Sequence, residues 1–278
     1  MLNKARLIYN QWKNNKYSAS IGWQKLTGSE YSEDTARKYF NGLHDYISST
    51  NLGKVTGVFG DTHIPFDHPN YLNFVQDTFE SFGVTDIVCT GDLVDNHAIS
   101  RHQSSPDSMG AKSEYDLTLE RVERYTKAFP ELNMVRGNHD DIPVRQAATL
   151  GIPREFVKDL HETWKLPSTW KVSEQYVSDG VLYKHGIGCG GKDGAFNSAL
   201  VERMSLVMGH THAYAGVKYS ANSRDIIYGM NCGCGIDVDA YAFEYGKHSK
   251  YKPILGCGIV YSSNHAIFVP MPERFFRS

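Results

Sequence analysis

Five short apolar segments of this chain each run straight into a turn that carries glycine and a cluster of aspartate, asparagine or histidine. Residues 54–59 pass through Gly60 into Asp61-Thr62-His63, and 84–89 pass through Thr90 into Gly91-Asp92-Leu93-Val94-Asp95. Residues 132–135 lead to Gly137-Asn138-His139-Asp140, 176–184 to His185-Gly186, and 205–208 to Gly209-His210-Thr211-His212. Apolar runs this short, bounded by turn residues, read as buried strands, and helical patterns at 69–82, 114–129 and 193–203 alternate with them. Such alternation predicts a layered α/β core. Ligands in open α/β sheets bind beyond the carboxyl ends of the strands, so the five turns are expected to converge on one crevice.

The donor types in those turns suit metal. Carboxylate, imidazole and amide oxygen together favour manganese, iron, zinc or similar divalent ions, and the turns hold none of the thiolates that would single out zinc or iron–sulfur. Asp61, His63, Asp92, Asn138, His185, His210 and His212 are too many for one tetrahedral zinc, which three or four protein ligands satisfy. Two ions fit better. A carboxylate between them gives the arrangement that clamps both the attacking and the leaving oxygen of a phosphoryl displacement.

The order D-x-H, G-D-x-x-D, G-N-H-D, a later H and G-H-x-H, running from Asp61 to His212, resembles the calcineurin-like metallophosphoesterases. The resemblance implies a β-sandwich of two mixed sheets flanked by helices. It implies that Asp61, His63 and His212 hold one metal, that Asn138, His185 and His210 hold the other, and that Asp92 bridges them. Manganese is the first expectation for both ions, with iron, zinc, nickel and magnesium as alternatives. A hydroxide between the ions is the implied nucleophile. His139 is implied to protonate the leaving oxygen or steady the transition state, and Asp95 to orient it.

In the phosphoprotein-phosphatase branch of that family the second motif continues with an arginine that grips phosphate, whereas here Asn96 and His97 follow Asp95. The third motif ends in Asp140 where that branch has glutamate. These departures are closer to the nuclease and phosphodiesterase branches, so the expected substrate is a phosphodiester of nucleic acid or nucleotides. His97, Arg101 and His102, on the loop that follows, are candidate phosphate contacts. Phosphomonoester hydrolysis on a protein, nucleotide or nucleic-acid end is the enzymatic alternative. A nucleic-acid-binding adaptor that keeps the phosphoesterase domain as a scaffold is the alternative from another class.

Residues 1–50 differ from the rest in charge: seven basic residues face four acidic ones, while the whole chain sets 29 Lys and Arg against 31 Asp and Glu. That balance excludes a uniformly basic coat for nucleic acid but not a local patch. Leu2, Ala5, Ile8 and Trp12 recur at helical spacing, and a second helix is expected around 21–26, before Gly28. Ser32 can cap a third, whose apolar stripe is Ala36, Phe40, Leu43 and Ile47. We therefore expect a three-helix module over 1–50 and a dimetal phosphoesterase domain over 51–278. The third helix resembles the recognition helix of a helix-turn-helix, in which Arg37 and Lys38 would meet DNA phosphates. Glu33 and Asp34, on the same helix, count against that docking.

After residue 212 the sequence turns to short β-rich pieces, with a hairpin expected of 257–262 and 265–269 across Ser263-Asn264. No apolar run approaches the roughly 18 residues of a membrane span, and no apolar h-region follows Lys4 and Arg6. Five cysteines without a C-x-x-C pair suit reduced thiols, so a cytoplasmic location is expected. N-terminal extensions of this kind occur in phage-encoded members of the family that the chain resembles, for which the location is the host cytoplasm.

Overall fold

The computed structural model describes residues 8, 11–12, 18–49, 54–101, 106, 108–240, 242–243 and 250–272, without the side chains of 42–49. Strands β1 (Thr56–Phe59), β2 (Asp86–Cys89), β3 (Leu132–Val135) and β4 (Trp170–Ser173) are parallel neighbours in one sheet. A second sheet has the order β5 (Gln175–Ser178), β6 (Val181–Lys184), β7 (Ser205–Met208), β9 (Ile226–Asn231) and β8 (Gly216–Ala221). Its three inner strands are parallel and its two edge strands antiparallel. The hairpin of β10 (Gly256–Ser262) and β11 (His265–Pro270) completes the first sheet on the free side of β1. The helices are α1 (Ala19–Thr27), α2 (Glu33–Ser49), α3 (Tyr71–Phe82), α4 (Ala111–Ala128), α5 (Ile142–Thr149), α6 (Leu160–Trp164) and α7 (Gly194–Glu202).

Successive side chains on a strand point to opposite faces, and that period of two builds the layers. Val58, Val88 and Val135 face inward, where they meet Val181, Tyr183, Val207, Tyr228 and Met230 of the second sheet. Their neighbours Phe59, Cys89 and Met134 face outward and pack with Phe79 of α3, Val122 and Tyr125 of α4, and Phe129 just beyond its end. On the outer face of the second sheet, Leu206 and Met208 pack against Ala195 and Ala199 of α7. The result is the expected sandwich of two mixed sheets flanked by helices. Strands this short carry little side-chain area each, so both faces of nearly every strand must be covered for the layers to hold.

Two parts of the sequence reading are corrected here. Residues 176–184, read as one strand, break at Asp179-Gly180, where both residues adopt positive φ (50° and 74°) and turn the chain into the β5–β6 hairpin. An Asp-Gly pair between apolar runs is the signal for such a turn. Strand β4 and helices α5 and α6 had no sequence expectation. β4 joins the sheet edge through Trp170, fully buried with its Nε1 donating to the Phe129 carbonyl oxygen at 2.7 Å.

Near the N-terminus, α1 is capped by Ser18 and stopped by Gly28 at φ 77°. Glu33, at the start of α2, accepts hydrogen bonds from the Ala19 and Ser20 N–H groups at 2.9 Å each and so closes the N-terminus of α1. Those bonds hold its carboxyl down at about 2. Ile8, Ala19, Ala36 and Phe40 form a small core of their own, with Trp12 and Trp23 packed against it. Most of the predicted first helix, including Leu2 and Ala5, lies outside the described residues. No helix among the described residues is long and apolar enough to cross a membrane.

Candidate active site

Each parallel strand must release its chain abruptly at the carboxyl end, and the release occurs in backbone that favours glycine. Asp61, His63, Asp92, Asn96 and His210 all hold positive φ, between 48° and 70°. Non-glycine residues there are strained, and such strain persists where the surrounding structure fixes it. Two motif glycines are required by their neighbours. A Cβ on Gly137 would lie 2.1 Å from Asp92 Oδ1, and one on Gly209 would lie 1.9 Å from Asp61 Oδ2. The glycines therefore make room for the two carboxylates rather than only permitting a turn.

The five turns converge. Asp61 Oδ1 lies 3.2 Å from His212 Nε2, which in turn lies 3.2 Å from His63 Nε2. Beside this group, His185 Nε2 lies 3.0 Å from Asn138 Oδ1 and 3.1 Å from His210 Nδ1. Asp92 stands between the two groups: its Oδ2 is 3.1 Å from His185 Nε2 and 3.7 Å from His63 Nε2. Asp61, His63, Asp92 and His185 are all buried.

The orientation of the imidazoles tests whether this cluster fits metal. His185 Nδ1 donates to the Thr90 carbonyl oxygen at 2.9 Å, and His63 Nδ1 donates to Asp95 Oδ1 at 2.5 Å. Each ring then presents a bare Nε2 lone pair to the cluster, as a metal-ligating histidine does when its other nitrogen is bonded behind it. Lone pairs and buried carboxylates aimed at one another repel unless cations or protons lie between them. The groups Asp61–His63–His212 and Asp92–His185–His210 each bring three donor atoms within 4.8 Å of one another. The donor set fits two divalent ions.

His139 lies against the first group, its ring centroid 4.4 Å from that of His63. Its Nδ1 donates to the Asp95 carbonyl oxygen at 2.8 Å and lies 3.1 Å from Asp95 Oδ1. Burial alone would raise the Asp95 carboxyl, but the hydrogen bonds from His139 and His63 outweigh it and hold the group well below the ordinary carboxylate range. Burial alone would lower the His139 imidazole, but Asp95 and the Asp92 charge push it up to about 9.

Other predicted contacts divide. Arg101 lines a cavity beside His139. His97 is buried, 3.8 Å from Asp95, and lines neither that cavity nor the main one. The turn at 97–99 packs its ring against Phe66. His102 lies outside the described residues. Arg37 pairs with Glu33 at 3.3 Å and Lys38 is exposed, both on α2. Asn96, where an arginine had been the point of comparison, donates its Nδ2 hydrogen to the His139 carbonyl oxygen at 2.9 Å and braces that turn. The thiols of Cys232 and Cys234 are free and buried around Gly233 at φ 75°.

Other residues around the site had been given no role in it by the sequence motifs. Asp140 accepts the N–H groups of Asp92, Leu93 and Gly137 at 3.0, 3.1 and 2.8 Å, so one buried carboxylate ties the second motif to the third. Arg145, one helical turn along α5, donates to the Asn138 carbonyl oxygen at 2.7 Å. Tyr214 and Tyr251, together with Phe243, line a cavity of about 740 Å³ that opens onto the histidines. The place of Asp140 as the last residue of the third motif was a signal that could have been used. Arg145 and the tyrosines carried none, being ordinary in spacing and composition.

The model of the calcineurin-like phosphoesterase family matches residues 55–227, well over half of the chain. No curated protein matches it. Among solved structures, a metallophosphoesterase from Sphaerobacter thermophilus is 16% identical at a TM-score of 0.38, covering 79% of this chain and 88% of that one. Vacuolar protein sorting 29 from Cryptosporidium parvum is 15% identical at 0.39, covering 75% and 84%. Pseudomonas putida nuclease MPE is 12% identical at 0.33, covering 78% and 87%.

Proposed function

The chain belongs to the calcineurin-like phosphoesterase family, whose members hold a dimetal centre and act on phosphoesters, and from that premise we propose that it hydrolyses phosphodiester bonds of nucleic acid or nucleotides. In this reading Asp61, His63 and His212 hold one ion, Asn138, His185 and His210 the other, and Asp92 reaches both. Two divalent ions, manganese first among them, would lower the pKa of water to give hydroxide near neutral pH and would offset the charge of the phosphate oxygens. The rest of the chemistry belongs to the chain. His139 lines the cavity with its Nδ1 bonded to Asp95, so its other ring nitrogen is the group that would donate a proton to the departing oxygen. Asp95 is a positioning residue, since its carboxylate holds both His139 and His63 in place.

The observation that carries the reading is Asp92 Oδ2 lying 3.1 Å from His185 Nε2 and 3.7 Å from His63 Nε2, one histidine of each proposed ligand set. A diester is favoured over a monoester because the position next to Asp95 that would offer an arginine to a dianionic phosphate is held by Asn96, turned onto the His139 backbone. The aromatic wall of Tyr214, Phe243 and Tyr251 gives a nucleoside a surface to stack on.

A substrate panel tests this: a bis-aryl phosphate, a mono-aryl phosphate, single-stranded and duplex DNA, and RNA, each with manganese, magnesium, nickel or zinc. The expected outcome is diester cleavage, strongest with manganese. Cleavage of the monoester without any diester would refute the reading.

A further inference from the structure

Beyond His139 a second cavity, of about 360 Å³, adjoins the main one, and the two share Asn138 and His139 as common wall. Arg101 and Arg145 line it, and no carboxylate among the described residues does. Neither guanidinium has a carboxylate within ion-pair distance among the described residues. Both are held by neutral partners: Arg101 Nη2 donates to Thr149 Oγ1 at 2.6 Å, and Arg145 Nη2 donates to the Asn138 carbonyl oxygen at 2.7 Å. Thr149 Oγ1 in turn donates to the Arg145 carbonyl oxygen at 2.9 Å, which docks the two arginines on one turn of α5.

Two guanidiniums with donors to spare, lining a cavity without acidic groups among the described residues, suit an anion. We propose that this cavity is a second phosphate subsite, which takes the phosphate one linkage away from the bond being cleaved. The proposal rests on the phosphodiester reading and narrows its substrate class. A diester centred on the histidine cluster has two arms: one runs to the aromatic wall of Tyr214 and Tyr251, and the other passes over His139 toward Arg101 and Arg145. The cavity is larger than one phosphate fills, so it has room for the sugar that leads to it. Two substrates supply this chemistry: an oligonucleotide with its next backbone phosphate, and a nucleoside triphosphate with its polyphosphate tail.

The test compares kcat/KM on a thymidine dinucleotide with no terminal phosphate, the same dinucleotide with a 5′-phosphate, the same with a 3′-phosphate, and a nucleoside triphosphate. The wild type is expected to prefer one phosphorylated dinucleotide over the unphosphorylated one by about tenfold or more. Which end is preferred reports the direction in which the strand lies. R101Q and the double variant R101Q/R145Q are expected to bring that ratio close to one. R101Q leaves the bond from Arg145 to the Asn138 turn in place, so it separates charge from loop support. A triphosphate that outpaces both phosphorylated dinucleotides, with the same dependence on Arg101, assigns the subsite to a polyphosphate tail. Equal rates on all three dinucleotides in the wild type would overturn the subsite alone. So would a loss in R101Q that is the same with and without the terminal phosphate. Failure to cleave any dinucleotide or a bis-aryl phosphate would instead overturn the phosphodiester reading, and the subsite with it.

Discussion

One oxygen of Asp95 serves two histidines, at 2.5 Å from His63 Nδ1 and 3.1 Å from His139 Nδ1. An amide in its place can still accept, but it no longer carries the charge that fixes both rings. Asp95→Asn is therefore expected to weaken metal binding about 10- to 100-fold as well as to slow turnover. Titration of the metal-free variant with manganese by calorimetry checks this, and an affinity equal to wild type would refute the shared role. Asp92→Ala and His139→Ala are expected to separate cleanly. The first should lose metal and activity together, whereas the second should keep both ions and lose about 10²- to 10⁴-fold in turnover. Metal analysis beside the rate assay decides between them. At this scale the sequence was informative, because a strand end brings its donors together within two or three residues. The second bond of Asp95, to His63, was hidden because it joins residues 32 positions apart.

The loop that follows the second motif depends on a helix that no motif announces. Glu114, in the first turn of α4, accepts the Ala98 N–H at 2.8 Å and so anchors the turn at 97–99 next to Asp95. Burial, aided by the Asp95 charge, pushes its carboxyl up to about 7 against that hydrogen bond. An unfolded glutamate titrates near 4.3, so the folded chain binds the extra proton between about 4.3 and 7. Ionised Glu114 thus costs stability progressively as pH rises through that window, and the cost is complete above it. Glu114→Gln is expected to stabilise the protein by about 1–3 kcal/mol at pH 8 and by less at pH 5. Urea unfolding at the two pH values measures it, and a variant less stable than wild type at pH 8 would refute the account. The helix itself was legible from its apolar spacing. Its buried acid was not, because a glutamate in a first helical turn is ordinarily exposed and favoured there by the helix dipole.

Across the whole molecule, charge is unevenly placed. The small N-terminal core of Ile8, Ala19, Ala36 and Phe40 presents Arg37 and Lys38 outward on α2, and we propose that it is a module distinct from the sandwich and able to contact DNA. Arg37→Ala with Lys38→Ala is then expected to weaken binding to duplex DNA evenly across sequences and to reduce the slope of log affinity against log salt by about two. A fluorescence titration at several salt concentrations reads that slope. An unchanged slope would remove α2 from any DNA interface and leave Glu33 with its observed work of closing α1.

The sequence by itself determined the alternation of strands and helices in the core, though not β4, α5, α6 or the β5–β6 turn, and it offered the donors of the candidate metal centre. Both are written locally, the first in side-chain period and the second in strand-end turns. It also determined that Gly137 and Gly209 stand beside the metal-capable residues, though not that they make room for the Asp92 and Asp61 carboxylates. Only the tertiary structure decided which residues from different elements meet. It set Asp140 beneath two motifs, turned His97 inward and Asn96 onto the His139 backbone, and gathered Tyr214, Phe243 and Tyr251 around one cavity and Arg101 and Arg145 around the next. Those groupings depend on how the two sheets stack and where α4 and α5 lie against them. Packing of layers is a property of many distant residues at once, and no local pattern in the chain carries it.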